Sequence, residues 1–171
     1  LLVMADDKTI TYGDDAPRFT ASYSGFATGD DESVLTTGPS FITTYVKGDD
    51  ADKYYIVVNG CSSGNYDFSY IAGELTVAPA TFTLTVSGDY YYTGLAQSVS
   101  YTATVVGGVP LKAGTDYTVT GDVGINADTY TLSLTGQKNY AGTVKAEWTI
   151  HKTYLLVKPV DEIITYNDDL P

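Results

Sequence analysis

The chain has 171 residues, with 21 acidic side chains against 9 basic ones and a net charge of −12. Such a surface repels nucleic-acid phosphates and anionic lipid headgroups, because binding to either relies on Lys and Arg. A single cysteine and a single histidine exclude an internal disulfide and a Cys/His zinc cluster, and no apolar run approaches the length of a membrane span. We therefore expect no nucleic-acid partner and no direct insertion into a membrane.

Alternation of apolar and polar residues predicts strands in the first half of the chain. The predicted strands are 9–12, 19–23, 41–45, 54–58 and a last stretch through 68–77. Between the second and third, Thr28 and Asp31 stand at capping-box-like spacing and acids crowd the first turn, which predicts one or two helical turns over 28–35. Two strands, a short helix and three strands is the order of a β-grasp module.

The same alternation continues in the second half, where threonines and apolar residues take turns along each segment. The predicted strands are 81–86, 101–105, 117–119, 130–134 and 144–150, separated by glycine-containing turns. A full immunoglobulin-like sandwich needs about seven strands and about 100 residues. Five strands fit either a second β-grasp-like module or a small sandwich, and both alternatives stay open from the residues alone.

The two ends of the chain repeat each other. Residues 1–17 and 155–171 are identical at ten of seventeen positions without gaps. An Asn-Tyr pair also precedes the last strand of each half, at Asn65-Tyr66 and at Asn139-Tyr140. We predict two tandem units and the truncated start of a further repeat, with limits at 1–79, 80–152 and 153–171. The boundaries lack a flexible Gly/Ser spacer, which favours an elongated, semi-rigid arrangement. The chain opens at 1–4 as though already inside a strand, so we expect it to be an excised fragment.

Several motifs of the first unit resemble the MBG domain of YGX type. They are YGDDAPRFT at 12–20, SYSGF at 22–26, Gly29-Asp30, Asn65-Tyr66 and GELTV at 73–77. The tail repeats the signature with Asn167 in place of its glycine. This resemblance implies a non-catalytic module that recurs in tandem in adhesin-like proteins, on the bacterial cell surface or secreted.

The second unit is similar to bacterial Ig-like surface repeats. The similarity lies in residues 92–94, 111–119, 126–130 and 136–143. Asp128 stands where those repeats usually have glycine, so the turn at that point is a departure from the family pattern. Both resemblances imply location at the cell surface and name no ligand.

Acidic side chains cluster in two predicted loops. The cluster members are Asp30, Asp31, Glu32, Asp49, Asp50 and Asp52. Calcium takes six to eight oxygen ligands, so these carboxylates are weak candidates for a Ca²⁺ site. Neither cluster has the spacing of a twelve-residue calcium loop, and solvated turn carboxylates explain them at least as well. We expect no cofactor, with calcium as the alternative to test.

Tyrosines are crowded at two places. These candidate binding residues are Tyr54, Tyr55, Tyr90, Tyr91 and Tyr92. Neighbouring residues on a strand point to opposite faces, so one of the first pair and at least one of the triplet should be exposed. An exposed tyrosine offers a large aromatic surface with a polar tip to a sugar or a protein. The alternative is a structural role in the core and in cross-strand pairs.

Reactive side chains are few. His151 lies beside Lys152 at a unit boundary, and Cys61 lies in a loop without a basic neighbour, so we expect no enzyme. Asn139, Lys145 and Glu147 have the residue types of an intramolecular Lys–Asn cross-link, although ordinary surface positions explain them equally well.

Three functions fit these observations. The first is a monomeric stalk or spacer whose main partners are neighbouring repeats of the same chain. The second is adhesion, in which the modules themselves bind host glycan, mucin or protein. The third is an accessory module of a secreted enzyme.

Overall fold

The computed structural model describes residues 1–159. Regular structure there is nearly all β, and the one helical element of the described part is a 3₁₀ turn at Glu32–Val34. The predicted mainly β class is confirmed. Of the one or two helical turns predicted over 28–35, only this short turn forms, with Asp31 accepting a hydrogen bond from the Ser33 N–H. The second part of the predicted repeat start, 160–171 with Asn167, lies outside the described residues.

Module 1 denotes the strands between residues 2 and 78. They are β1 Leu2–Ala5, β2 Lys8–Thr11, β3 Ala21–Ser24, β4 Ser40–Thr43, β5 Lys53–Asn59, β6 Ser69–Ile71 and β7 Gly73–Ala78. β1 pairs antiparallel with β3 and parallel with β6. β2 pairs parallel with β7, and the sheet continues antiparallel through β5 to β4. The first and last strands of the module therefore lie side by side.

A break at Asp6 and Asp7 lets the first strand pass from one sheet to the other. The Asp6 carboxylate accepts hydrogen bonds from the hydroxyls of Thr20 and Ser22, at 2.5 and 2.6 Å. The hydrogen bond from Ser22, followed by that from Thr20, lowers the pKa of Asp6. The last strand breaks at the same level, where a Cβ on Gly73 would lie 2.6 Å from the Ala5 carbonyl oxygen. Glycine is thus required for the close approach of the two strands.

Module 2 denotes the strands between residues 83 and 151. They are β8 Thr83–Ser87, β9 Tyr90–Tyr91, β10 Gln97–Ser98, β11 Ser100–Thr104, β12 Tyr117–Thr120, β13 Val123–Gly124, β14 Thr129–Gly136 and β15 Thr143–His151. β8 pairs antiparallel with β11, β9 pairs parallel with β15, and β15 leads through β14 to β12. This is the connectivity of module 1 without a counterpart of its β1–β6 pair and with the small β10–β13 pair added. The second unit therefore has the arrangement of the first.

Each module has its own hydrophobic core. Module 1 buries Val3, Ala5, Tyr45, Ile56, Val58, Leu75 and Val77. Module 2 buries Phe82, Val99, Ala103, Tyr117, Leu132, Leu134, Trp148 and Ile150. The limits 1–79, 80–152 and 153–171 themselves stay predictions.

The centre of module 2 is an aromatic cluster around Trp148. Its ring stacks on Tyr130 at a centroid distance of 4.9 Å and meets the edge of Tyr90 at 5.4 Å. Its indole N–H donates to the Gly121 carbonyl at 2.9 Å. Nearby, burial raises the pKa of Tyr117 to about 12. Among the described residues, no helix has the length and apolar character that crossing a bilayer requires.

Candidate functional site

The two modules meet at a joint, a name used here for Tyr12, Asp50, Ala51, Asn139 and Tyr140. The Asn139 side chain lies at its centre. Its Oδ1 accepts the Ala51 N–H at 2.8 Å, and its Nδ2 donates to Asp50 Oδ1 at 2.8 Å. An asparagine amide carries both an acceptor and donors on one short side chain, which suits it to connect two surfaces.

The chain between the modules is part of the joint's hydrogen bonding. The N–H of buried Ala80 donates to the Asn139 carbonyl at 2.8 Å, and its carbonyl accepts from the Ala141 N–H at 2.9 Å. Beside it, the rings of Tyr12 and Tyr140 meet edge to face at 5.6 Å. Burial, with the nearby Tyr12, raises the pKa of Tyr140. The linker is thus held on module 2 as a strand-like bridge and has little freedom to bend.

A cleft of about 630 Å³ opens beside the joint. Its walls include Thr11, Tyr12 and Asp14 from module 1 and Thr81, Val109 and Tyr140 from module 2. The ionisable groups on these described walls are phenols and one carboxylate, with no amine or imidazole beside them. Such a lining offers aromatic and hydroxyl contacts.

The candidate tyrosines divide between exposed and structural positions. Tyr55, Tyr91 and Tyr92 are 73%, 54% and 42% exposed, as strand alternation predicts for part of each group. Tyr54 is half-buried and donates to the Asp50 carbonyl at 2.9 Å. Tyr90 is also half-buried and donates to a backbone carbonyl in its own turn at 3.1 Å. Tyr55 lies on module 1, whereas Tyr91 and Tyr92 lie on module 2, so the exposed tyrosines do not belong to one module. Their role in binding stays a prediction.

The acidic candidates mostly serve as local hydrogen-bond acceptors. Asp30 accepts from the Tyr66 hydroxyl at 2.6 Å, Asp49 from the Val46 N–H at 2.8 Å, and Asp52 from the following N–H at 2.8 Å. Asp31 caps the 3₁₀ turn that contains Glu32, and Asp50 belongs to the joint. Within residues 1–159, no group of three or more His, Cys, Asp or Glu side chains is placed to hold a metal ion. The expectation of no cofactor and the weaker calcium alternative both stay predictions.

The reactive side chains lie apart. Cys61 is half-buried in module 1, and burial raises the pKa of its thiol. His151 is exposed at the end of β15, with its ring 5.5 Å from that of Tyr91. Lys145 and Glu147 lie on the exposed face of β15, whereas the Asn139 amide is bonded across the joint. No charged side chain of the described part is buried, so a cross-link there has no buried carboxyl catalyst.

The role of Asn139 at the joint was not predicted from the sequence, which marked Asn139 as a repeat feature and as a cross-link candidate. The available signal was its place in the loop before the last strand, at the same end of the module as the linker.

Comparison with known families gives one result. Residues 1–76 match the family model described as the MBG domain (YGX type). The resemblance stated from the motifs of the first unit is thereby confirmed for that unit. No curated protein matches the chain.

Proposed function

With residues 1–76 identified as an MBG domain (YGX type), we propose that this chain is a non-catalytic spacer segment of a bacterial cell-surface protein. The family is a non-catalytic kind of repeat domain and suggests proteins of the surface type. Location outside the cell, by cell-surface attachment or secretion, is part of the proposal and rests on this family character. The modules would hold a distal part of the protein away from the surface.

The joint is the observation that carries this proposal. A spacer has to resist bending, and Asn139 contacts both the backbone and a side chain of the neighbouring module. Two hydrogen bonds partly open to water and one edge-to-face tyrosine pair contribute on the order of 1 to 2 kcal/mol together. That is a factor of about 5 to 30 in favour of the aligned arrangement.

Small-angle scattering of the full chain tests the spacer. We expect an extended profile with a well-defined maximum dimension. Asn139→Ala should broaden the distance distribution while leaving the melting of each module nearly unchanged. Asn126→Ala is the matched control, because Asn126 is an exposed asparagine of module 2 whose contacts lie within that module. A compact wild-type profile, or equal profiles for all three proteins, would contradict the proposal.

A second candidate function is adhesion, and a comparison of the two modules favours it. Tyr55 lies opposite Glu74 on the outer face of module 1, where Thr131 lies opposite Glu147 in module 2. Beside Tyr55 on β5, Val57 is also exposed. Since the same fold accepts a hydroxyl at this position, the aromatic ring is not needed for folding, which supports a binding role.

Glycan and protein arrays probed with the full chain test this second function. Selective binding that Tyr55→Ala removes and Thr131→Ala leaves intact would support adhesion by module 1. Uniformly negative arrays, or binding unchanged by Tyr55→Ala, would count against it.

A further inference from the structure

The two modules differ at the gap between two strands that are consecutive in the chain but lie in different sheets. In module 1 the gap separates β3 from β4, each of which pairs with a neighbour on one side only. In module 2 it separates β11 from β12, which occupy the same places in the connectivity. The segment that connects the two strands fills the gap in module 2 and leaves it open in module 1.

Module 2 fills its gap with its own chain. The Leu111 N–H donates to the Ala103 carbonyl at 2.8 Å, and Val105 and Val109 close the hairpin at 3.2 Å. Leu111 also packs against the module 2 core. At the other end of the segment, the Gly114 N–H donates to the Tyr117 carbonyl at 2.8 Å. Residues 109–114 thus link β11 to β12 with backbone hydrogen bonds.

Module 1 leaves the corresponding gap open. Its connection forms the 3₁₀ turn and then pairs Thr36 and Thr37 with Ser62, which continues the β4–β5 ladder and leaves the gap beside β3 unfilled. In the described part of the chain, no backbone hydrogen bond reaches the outer edge of either strand. Unpaired strand edges of this kind are templates for pairing with another chain.

A groove of about 800 Å³ runs along the open edges of module 1. Its lining includes Arg18, Phe19, Tyr23, Glu32, Pro39 and Phe41. The rings of Phe19 and Phe41 lie 6.2 Å apart, and both are half-buried against the core. The groove therefore combines a free backbone edge with an aromatic floor, the two features that strand addition requires.

We propose that this groove binds an extended peptide segment of a partner protein, which adds antiparallel to β3 and inserts an apolar side chain beside Phe19 and Phe41. Module 2 shows the expected binding mode, since its residues 109–111 pair with β11 in this way and Leu111 supplies the apolar contact. This inference goes beyond the spacer function and does not depend on it.

The negative charge of module 1 favours a partner segment with basic residues. Residues 1–79 hold twelve acids against four bases, a net charge of −8. A segment with basic flanks is therefore attracted, as Lys112 follows Leu111 in module 2. A second copy of this chain is a poor occupant, because its module 1 carries the same negative charge and its own filling segment is already hydrogen-bonded at home.

Titration of the full chain with a synthetic peptide of sequence 107–115, amidated at its C-terminus so that its charges are Lys112 and the amino terminus, tests the proposal. We expect saturable binding, followed by amide resonances, with slower amide hydrogen exchange in residues 21–24. The same peptide methylated on the nitrogen of its leucine loses the donor that corresponds to Leu111. It should bind about tenfold more weakly, the effect of one backbone hydrogen bond.

Two variants locate the site. Phe19→Ala should weaken peptide binding, whereas Phe68→Ala, which truncates a half-buried ring packed on the same core, should not. Thermal melting verifies that both variants fold, and the methylated peptide tests the proposal in the wild-type chain. Equal affinity of the two peptides, protection confined to other strands, or no binding at millimolar peptide would overturn the proposal.

Discussion

Truncation of Leu132 to alanine should unfold module 2 early and spare module 1. Leu132 is fully buried on β14, opposite Ala146 of β15. Buried Leu→Ala substitutions cost about 3 kcal/mol, the lost transfer energy plus the cavity left behind. For a domain of this size each kcal/mol lowers the melting temperature by about 4 to 8 °C, so we expect a decrease of about 12 to 24 °C for module 2.

The assay uses the single tryptophan of the chain, which lies in the core of module 2. Fluorescence of Trp148 during heating reports this module alone. The matched control is Leu75→Ala, because Leu75 is equally buried in the core of module 1. Leu75→Ala should move the Trp148 transition by no more than the contribution of the joint, about 1 to 2 kcal/mol.

Removal of the Asn139 hydrogen bonds sharpens the test. In an Asn139→Ala background, where the Tyr12–Tyr140 pair remains, Leu75→Ala should move the Trp148 transition less than it does in the wild type, while Leu132→Ala keeps its full effect. If Leu75→Ala lowers the Trp148 transition as much as Leu132→Ala does in that background, the two cores unfold as one unit and the reasoning fails.

Three further predictions concern module 1. Tyr66→Phe removes a hydroxyl that donates to a carboxylate and accepts a backbone N–H, and chemical denaturation should show a loss of about 1 to 2 kcal/mol. The hydrogen bond from the Ser22 hydroxyl is the main cause of the lowered pKa of Asp6. The ionised Asp6 therefore stabilises the fold fully above the ordinary carboxyl pKa, and this stabilisation is lost as pH falls through the lowered pKa. Between about pH 5 and 2, the Asp6→Asn variant should lose less stability than the wild type. Gly73→Ala places a Cβ 2.6 Å from a backbone oxygen and should cost about 1 to 3 kcal/mol in melting experiments, while Gly38→Ala, with open space around it, should be nearly neutral.

The long strands were predictable because their signal is local. Alternation over residues 54–58 and 144–150 marks β5 and β15, since one face of each strand packs on a core and the other meets water. β9, β10 and β13 have two residues each, too few for a periodic pattern. They form through pairing with segments distant in sequence.

The parallel pairing of first and last strands was beyond local reasoning. Lys8 lies opposite Leu75, and no residue type announces a partner that far along the chain. The helical turn was overestimated for a related reason. Asp31 caps a turn as its spacing suggests, but Leu35 already has extended backbone angles, and Thr36 then pairs with Ser62.

The candidate site also has features that local sequence predicts and features that it does not. That one of Tyr54 and Tyr55 is exposed follows from strand alternation alone. The joint does not, because Asn139 is separated from Ala51 by 88 positions in sequence. The open groove of module 1 does not either, because it depends on which strand edges the connection between β3 and β4 leaves unpaired.

Residual dipolar couplings of the full chain test most directly whether the joint holds the two modules in one fixed orientation. Couplings measured separately for the strands of module 1 and of module 2 should give alignment tensors of equal magnitude and common axes. Asn139→Ala should reduce the tensor of one module relative to the other. Unequal tensors in the wild-type chain would contradict the account of this protein as a semi-rigid spacer.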